Sequence, residues 1–162
     1  MAFGSSSAMF REFPATLLRG GSGYDGIDEG DVKVALYNNT TTPSKDAALN
    51  ETGYNTGQWV TANELTSSTQ WPSGGVALSG AAVTVPSTGV IQFDASDTTH
   101  TGTVTISNAY GCLVYDDDMT TTASVSQADQ GISFHAFGGA QSVTTGTFTV
   151  VWHANGLFRI TV

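Results

Sequence analysis

An all-β domain behind a short helical arm is what this sequence predicts, and three observations carry the prediction. Only 12% of its residues are charged, about half the usual share. Thr, Ser and Gly take the wet positions that Glu and Lys fill in helical proteins, as they do on half-buried pleated sheets. Beyond Gly75, short runs rich in Val, Ile, Phe and Thr recur between Gly, Ser, Asn and Asp, at the roughly 8 to 12 residue spacing of sandwiches and barrels. No helix-length segment separates these runs, which argues against parallel βαβ units. The 162 residues fit one domain with enough chain for a real core. The expected architecture is an antiparallel β-sandwich, jelly-roll or related, over residues 31–162, preceded by an arm over 1–30.

The elements follow in order. Met9, Phe10, Phe13 and Leu17 share one helical face, and Pro14 suits a first turn. One short helix is therefore expected within 9–19, stopped by Gly20-Gly21, with "GSGYDGIDEGD" as an acidic turn region. This helix either folds onto the domain's own sheet or docks on a partner. In the second case Phe3, Met9, Phe10, Arg11, Phe13, Leu17 and Arg19 would make the contact. From Asp31 the period changes to two: Val32, Val34 and Leu36 alternate with Lys33, Ala35 and Tyr37. "NNTTTPSKD" ends that strand, and "SKDAALNETG" predicts a single helical turn capped by Ser44 or Asp46. The stretch with Trp59 and Trp71 is the least regular, holding a second short helix or irregular strands. The strands after it are "VALSGAAVTV", "GVIQFDA", "TGTVTIS", "YGCLVYD", "GISFHAF", "GTFTVVW" and "GLFRITV". In the last, Phe158, Ile160 and Val162 are expected to face the core.

Charge and chemistry narrow the function classes. A net charge of −9 disfavours nucleic-acid binding, which needs cations to neutralise phosphates. No window reaches the ~20 apolar residues of a membrane helix. The N-terminus lacks the basic start and unbroken apolar run of a secretory signal. A soluble protein made and assembled in a cytoplasm is the expectation. Cys112, the single cysteine, reads as a buried inert thiol, because no Lys, Arg or His stands near it in sequence. Asp116, Asp117 and Asp118 end a strand. They lack the Gly and distal Glu of an EF-hand, so they read as a wet connection rather than a metal site or a catalytic pair. Asp25, Asp28, Glu29 and Asp31 have calcium-loop composition without a known spacing. His100, His135 and His153 are scattered, with no zinc spacing or nucleophile motif around them. Asn38, Asn39 and Asn50 begin N-x-Thr triplets that read as chance matches. The residues predict no catalytic site, no cofactor and no metal.

Four segments occur in a fixed order: "DVKVALYNNTTTPSKD", "NEL…WPSGGVALSG", "GCLVYDDD" and "FGGAQSVTTGTFTVVWHANGLFRITV". Together they resemble small structural proteins of tailed-bacteriophage virions, of the head decoration or minor capsid type. The resemblance covers most of residues 31–162 and rests on strand and turn motifs rather than on chemical ones. It implies a non-enzymatic virion protein that binds and stabilises the lattice of the major capsid protein. It also implies a homo-oligomer, a trimer at a threefold position, located on the capsid surface and in the host cytoplasm during assembly. The rival readings are a tail, baseplate or fibre component, and a carbohydrate-binding adhesin-like module with exposed tryptophans as its platform.

Overall fold

The structure, a computed structural model, describes residues 3–19, 26–27, 31–67, 70–100, 102–121 and 127–162. In chain order these form β1 (Ala8–Met9), α1 (Glu12–Arg19), β2 (Val32–Tyr37), β3 (Glu64–Leu65), β4 (Val76–Ala77) and β5 (Ala82–Ser87). There follow β6 (Val90–Asp94), β7 (Thr98–Thr99), β8 (Val104–Asp116), β9 (Gly131–Gly146), β10 (Thr149–Val150) and β11 (Phe158–Thr161). The fold is all-β with one short N-terminal helix. Its strands make three antiparallel sheets: a six-stranded sheet ordered β1-β9-β8-β2-β3 with β4 also on β2, a three-stranded sheet β11-β6-β5, and the pair β10-β7.

β2 is the centre of the large sheet. It pairs with β8 from Val32↔Asp116 to Tyr37↔Gly111. Its other edge takes β4 at Lys33 and Val34 and β3 at Leu36 and Tyr37. Alternation leads one to expect Lys33, Ala35 and Tyr37 on a wetter face, yet only Lys33 is even half-exposed. Trp59 covers Tyr37, with ring centroids 5.1 Å apart, and the Tyr37 hydroxyl donates to the Trp59 carbonyl at 2.6 Å. The irregular segment is thus a lid of core residues: Trp59 and Trp71 are 1% and 0% exposed. It holds two single turns, Leu49–Glu51 and Thr61–Asn63. The first starts from Ala48 without a side-chain cap, not from Ser44 or Asp46. Ser44 instead accepts the Asp46 N–H at 3.3 Å in a local turn.

The N-terminal segment belongs to the same core. β1 pairs with β9 at Ala8↔Phe134 and Met9↔Ser133. Phe10 packs edge-on against Trp59 and Phe134, at 5.8 and 5.4 Å. Phe3 reaches Trp59 at 6.1 Å, and Phe13 reaches Phe158 at 6.2 Å. Two glycines record this docking. A Cβ on Gly111 would strike the Phe3 ring, and one on Gly131 would strike the Phe10 ring, so these strand positions are bare where aromatic rings cross them. α1 has the predicted place and polarity, with Pro14 in its first turn, Glu12 near its start and Arg19 at its end.

Four strand expectations change. "VALSGAAVTV" is not one strand but splits at Gly80 (φ 64°) into β4, on the large sheet, and β5, in the three-stranded sheet. "TGTVTIS" and "YGCLVYD" are one strand, because Asn108 takes a left-handed conformation (φ 59°) inside a β-bulge and pairing with β9 resumes beyond it. "GTFTVVW" contributes only Thr149–Val150, paired with Thr98–Thr99. In the last strand Leu157 is buried, whereas Val162 is 85% exposed. The end of β11 runs past the core, so alternation there no longer decides burial.

Candidate functional site

The seven arm residues divide by what they touch. Phe3, Phe10 and Phe13 are buried in the domain's own core, and Met9 and Leu17 pack against it. Those five side chains hold α1 and β1 to the body: Phe3, Phe10 and Phe13 are covered by the domain itself rather than offered to a partner, while Met9 and Leu17 stay half-buried. The physical reason is that rings of this size bury more area against a waiting core than solvent exposure allows. Arg11 and Arg19 remain outside, with side chains 56% and 47% exposed.

Around those two arginines the structure gathers an exposed cluster of ion pairs, three cations against two carboxylates. Arg19 bonds the Glu12 carboxylate at 3.0 Å, and Arg11 bonds it at 3.3 Å. Arg11 also approaches Asp46 at 3.9 Å, and Lys45 bonds Asp46 at 2.8 Å. The Lys45 hydrogen bond lowers the Asp46 carboxyl from its usual range. Three of the chain's five Lys and Arg residues therefore lie in one exposed patch. Leu18, beside Arg19, is 90% exposed. Helical periodicity could not mark Leu18, because it lies off the apolar stripe.

The aspartates form a capped turn. Asp116 is buried, and its Oδ1 accepts the N–H groups of Asp118 and Met119, both at 3.1 Å. Its backbone N–H donates to Gln130, continuing the β8–β9 pairing by one step. Asp117 pairs with Lys33, and Asp118 is exposed. Asp129 carries a raised pKa from burial and from the Asp117 charge, partly offset by Lys33. Among the described residues no three His, Cys, Asp or Glu side chains converge where they could hold a metal ion. Of the other acidic run, Asp25, Asp28 and Glu29 lie outside the described residues.

Sequence reading missed the most ordered polar group, because its members are far apart in the chain. Glu64 is nearly buried, and its carboxylate accepts Tyr54 Oη at 2.8 Å, Ser73 Oγ at 2.9 Å and the Gly74 N–H at 2.8 Å. Tyr115 donates to the Gly74 carbonyl at 2.7 Å, and its ring stacks on Tyr54 at 4.9 Å. Burial raises all three phenols, Tyr37, Tyr54 and Tyr115. Every oxygen of the carboxylate is engaged with a donor, so the network fastens β3 and the 72–75 turn to the sheet.

The remaining candidates lie deeper. Ser133 Oγ and His135 Nε2 are 3.0 Å apart, the spacing of a nucleophile and its base. Ser133 is 1% exposed, however, so a substrate cannot reach its hydroxyl. Burial lowers the His135 pKa to about 4, and Trp152 packs edge-on against its ring at 5.2 Å. Burial pushes the Cys112 thiol up, as expected of an inert core thiol. Trp152 is also largely buried, its indole donating to Thr98 at 3.1 Å. With all three tryptophans covered, the carbohydrate-platform reading loses the flat exposed ring that motivated it. A polar groove of about 450 Å³ beside Ser44, Asp46, Glu51 and Gln58 has only the buried edge of Trp59 for its aromatic wall.

Opposite in character is the β11-β6-β5 sheet. Every residue of β5 after Ala82 is exposed, Val83 to 43% and Val85 to 70%. From Leu65 to Phe93 there is no Asp, Glu, Lys or Arg. Compared with known proteins, the chain matches no family model, no curated protein and no solved structure.

Proposed function

We propose that the chain is a structural protein of a tailed-bacteriophage virion, a head decoration protein that binds the major capsid lattice as an oligomer and bridges its subunits. The motif resemblance supports the virion setting. The segments that carry it overlap paired framework strands: "DVKVALY" contains β2, "WPSGGVALSG" contains β4, "GCLVYDDD" begins on the end of β8, and "FGGAQSV" lies on β9. The observation that carries the binding role is the exposed patch of Arg11, Leu18, Arg19 and Lys45 on a chain of net charge −9. An exposed apolar side chain next to Arg19, in a patch with one cation more than its acids, suits an acidic protein surface, and repetition over a lattice multiplies a weak contact.

Deleting residues 1–19 is not a clean test, because it strips Phe3, Phe10 and Phe13 from the core. The informative variant is Arg11→Glu with Leu18→Ser and Arg19→Glu, added to undecorated shells and followed by co-sedimentation. We expect at least a tenfold loss of shell binding, with the fold retained by circular dichroism and a melting temperature lowered only slightly by the lost Glu12 ion pairs. Undiminished binding would remove the patch from the interface. Gold labelling of intact particles separates the head from the tail, baseplate or fibre reading.

A further inference from the structure

We propose that two copies of this chain pair antiparallel through the outer edge of β5, joining their three-stranded sheets into one six-stranded sheet. The proposal takes up the self-association included above, and its test does not depend on where in a virion the chain sits.

Among the described residues β5 pairs only with β6. Its other edge presents unpaired backbone donors and acceptors, which is a template for another strand. Natural edges are usually blunted by charge, by proline or by a bulge. Here Pro86 and the register shift between Thr84 and Ser87 blunt the second half. Ala82, Val83, Thr84 and Val85 are left without a proline or a charge.

Charge selects the occupant. Two copies at −9 each repel wherever acidic surfaces meet. The edge at β1 lies beside Arg11 and Glu12. The β5 edge is neutral, within the uncharged stretch from Leu65 to Phe93. It is also its own complement. With Thr84 opposite the second copy's Thr84, Val83 falls opposite the second copy's Val85 on the same face. That face continues inward through the register Val83↔Phe93↔Phe158. Such β-branched cross-strand pairs favour sheet formation.

The three residues per copy that this register pairs, Val83, Thr84 and Val85, bury less than the roughly 1,200 Å² of a stable interface, so the pair is weak in free solution, with Kd between about 10 µM and 1 mM. Held side by side on a lattice, the same contact becomes intramolecular and closes readily. An isologous contact makes pairs. It therefore supplies a twofold link between neighbours, distinct from the threefold contact that the resemblance implies.

Sedimentation velocity of the full chain from about 10 µM to 1 mM, in moderate salt, tests the pairing. Wild type should shift from monomer toward dimer across this range. Val85→Glu should melt like wild type and associate at least tenfold more weakly. Val151→Glu, equally exposed at 71% but off this edge, should associate like wild type. A wild type that stays monomeric throughout, or a Val85→Glu chain that associates undiminished, would overturn the proposal. So would a chain that is monomeric in solution yet loses shell binding on Val85→Glu, which would give the edge to a capsid partner instead.

Discussion

β2 and β5 are both six-residue strands in which valines stand two apart, "VKVALY" and "AVTVPS". β2 is buried at every position but Lys33, while β5 is exposed at every position but Ala82. Their own patterns do not account for the contrast. β2 has β8 on one edge and β3 and β4 on the other, Trp59 on Tyr37, and the N-terminal phenylalanines beyond. β5 has β6 on one edge and nothing described on the other. Burial is a property of what the rest of the chain brings to a strand, and here it separates a strand covered on both edges from one with an open edge.

The largest effect that would break this contrast comes from uncovering the packed half. Phe10→Ala removes a fully buried ring that lies against Gly131, Trp59 and Phe134. It should cost about 3 to 5 kcal/mol, read as a fall in the urea midpoint with an unchanged slope. An effect under about 1 kcal/mol would mean that the N-terminal segment is an arm laid on the surface after all.

Next in size is acid sensitivity. His135 has a folded pKa of about 4 against an ordinary 6.5. Between those values the unfolded chain binds the additional proton, so stability is full above pH 6.5 and falls as pH drops toward 4. The loss is on the order of 3 kcal/mol. Urea unfolding of wild type and His135→Gln at pH 7 and pH 4.5 checks it, and the variant should lose less stability between the two. Equal losses would show that the ring is not held neutral by the core.

The smallest effects give the sharpest comparison. Val34→Thr and Val85→Thr make the same chemical change on the two strands. The first buries a hydroxyl at a position with 0% exposure and should cost about 1 to 3 kcal/mol. The second, at 70% exposure, should stay within about 0.5 kcal/mol. Paired melting curves measure both, and similar values for the two would erase the distinction between the halves.

Legibility in the sequence followed the range of the interactions. β2, β6 and α1 were readable because periodicity, turn residues and proline placement act within a few residues, whereas β8 read as two strands because the bulge at Asn108 looks locally like a turn. The Glu64–Tyr54–Ser73–Gly74 network was not, since its members share no motif and meet only through β3 and the 72–75 turn. The N-terminal phenylalanines were visible as an apolar face, but not what that face would meet. Gly111 and Gly131 were the available hint, as glycines inside strands where something must pass close.

By itself the sequence determined the all-β class, the antiparallel sense, the short helix and the absence of charge from Leu65 to Phe93. These follow from local propensity and composition, which each residue carries with it. The tertiary structure alone decided that Trp59 and Trp71 are core rather than platform, and that β5 lies bare. Those outcomes depend on which distant surfaces meet, and burial is won by whichever surface arrives.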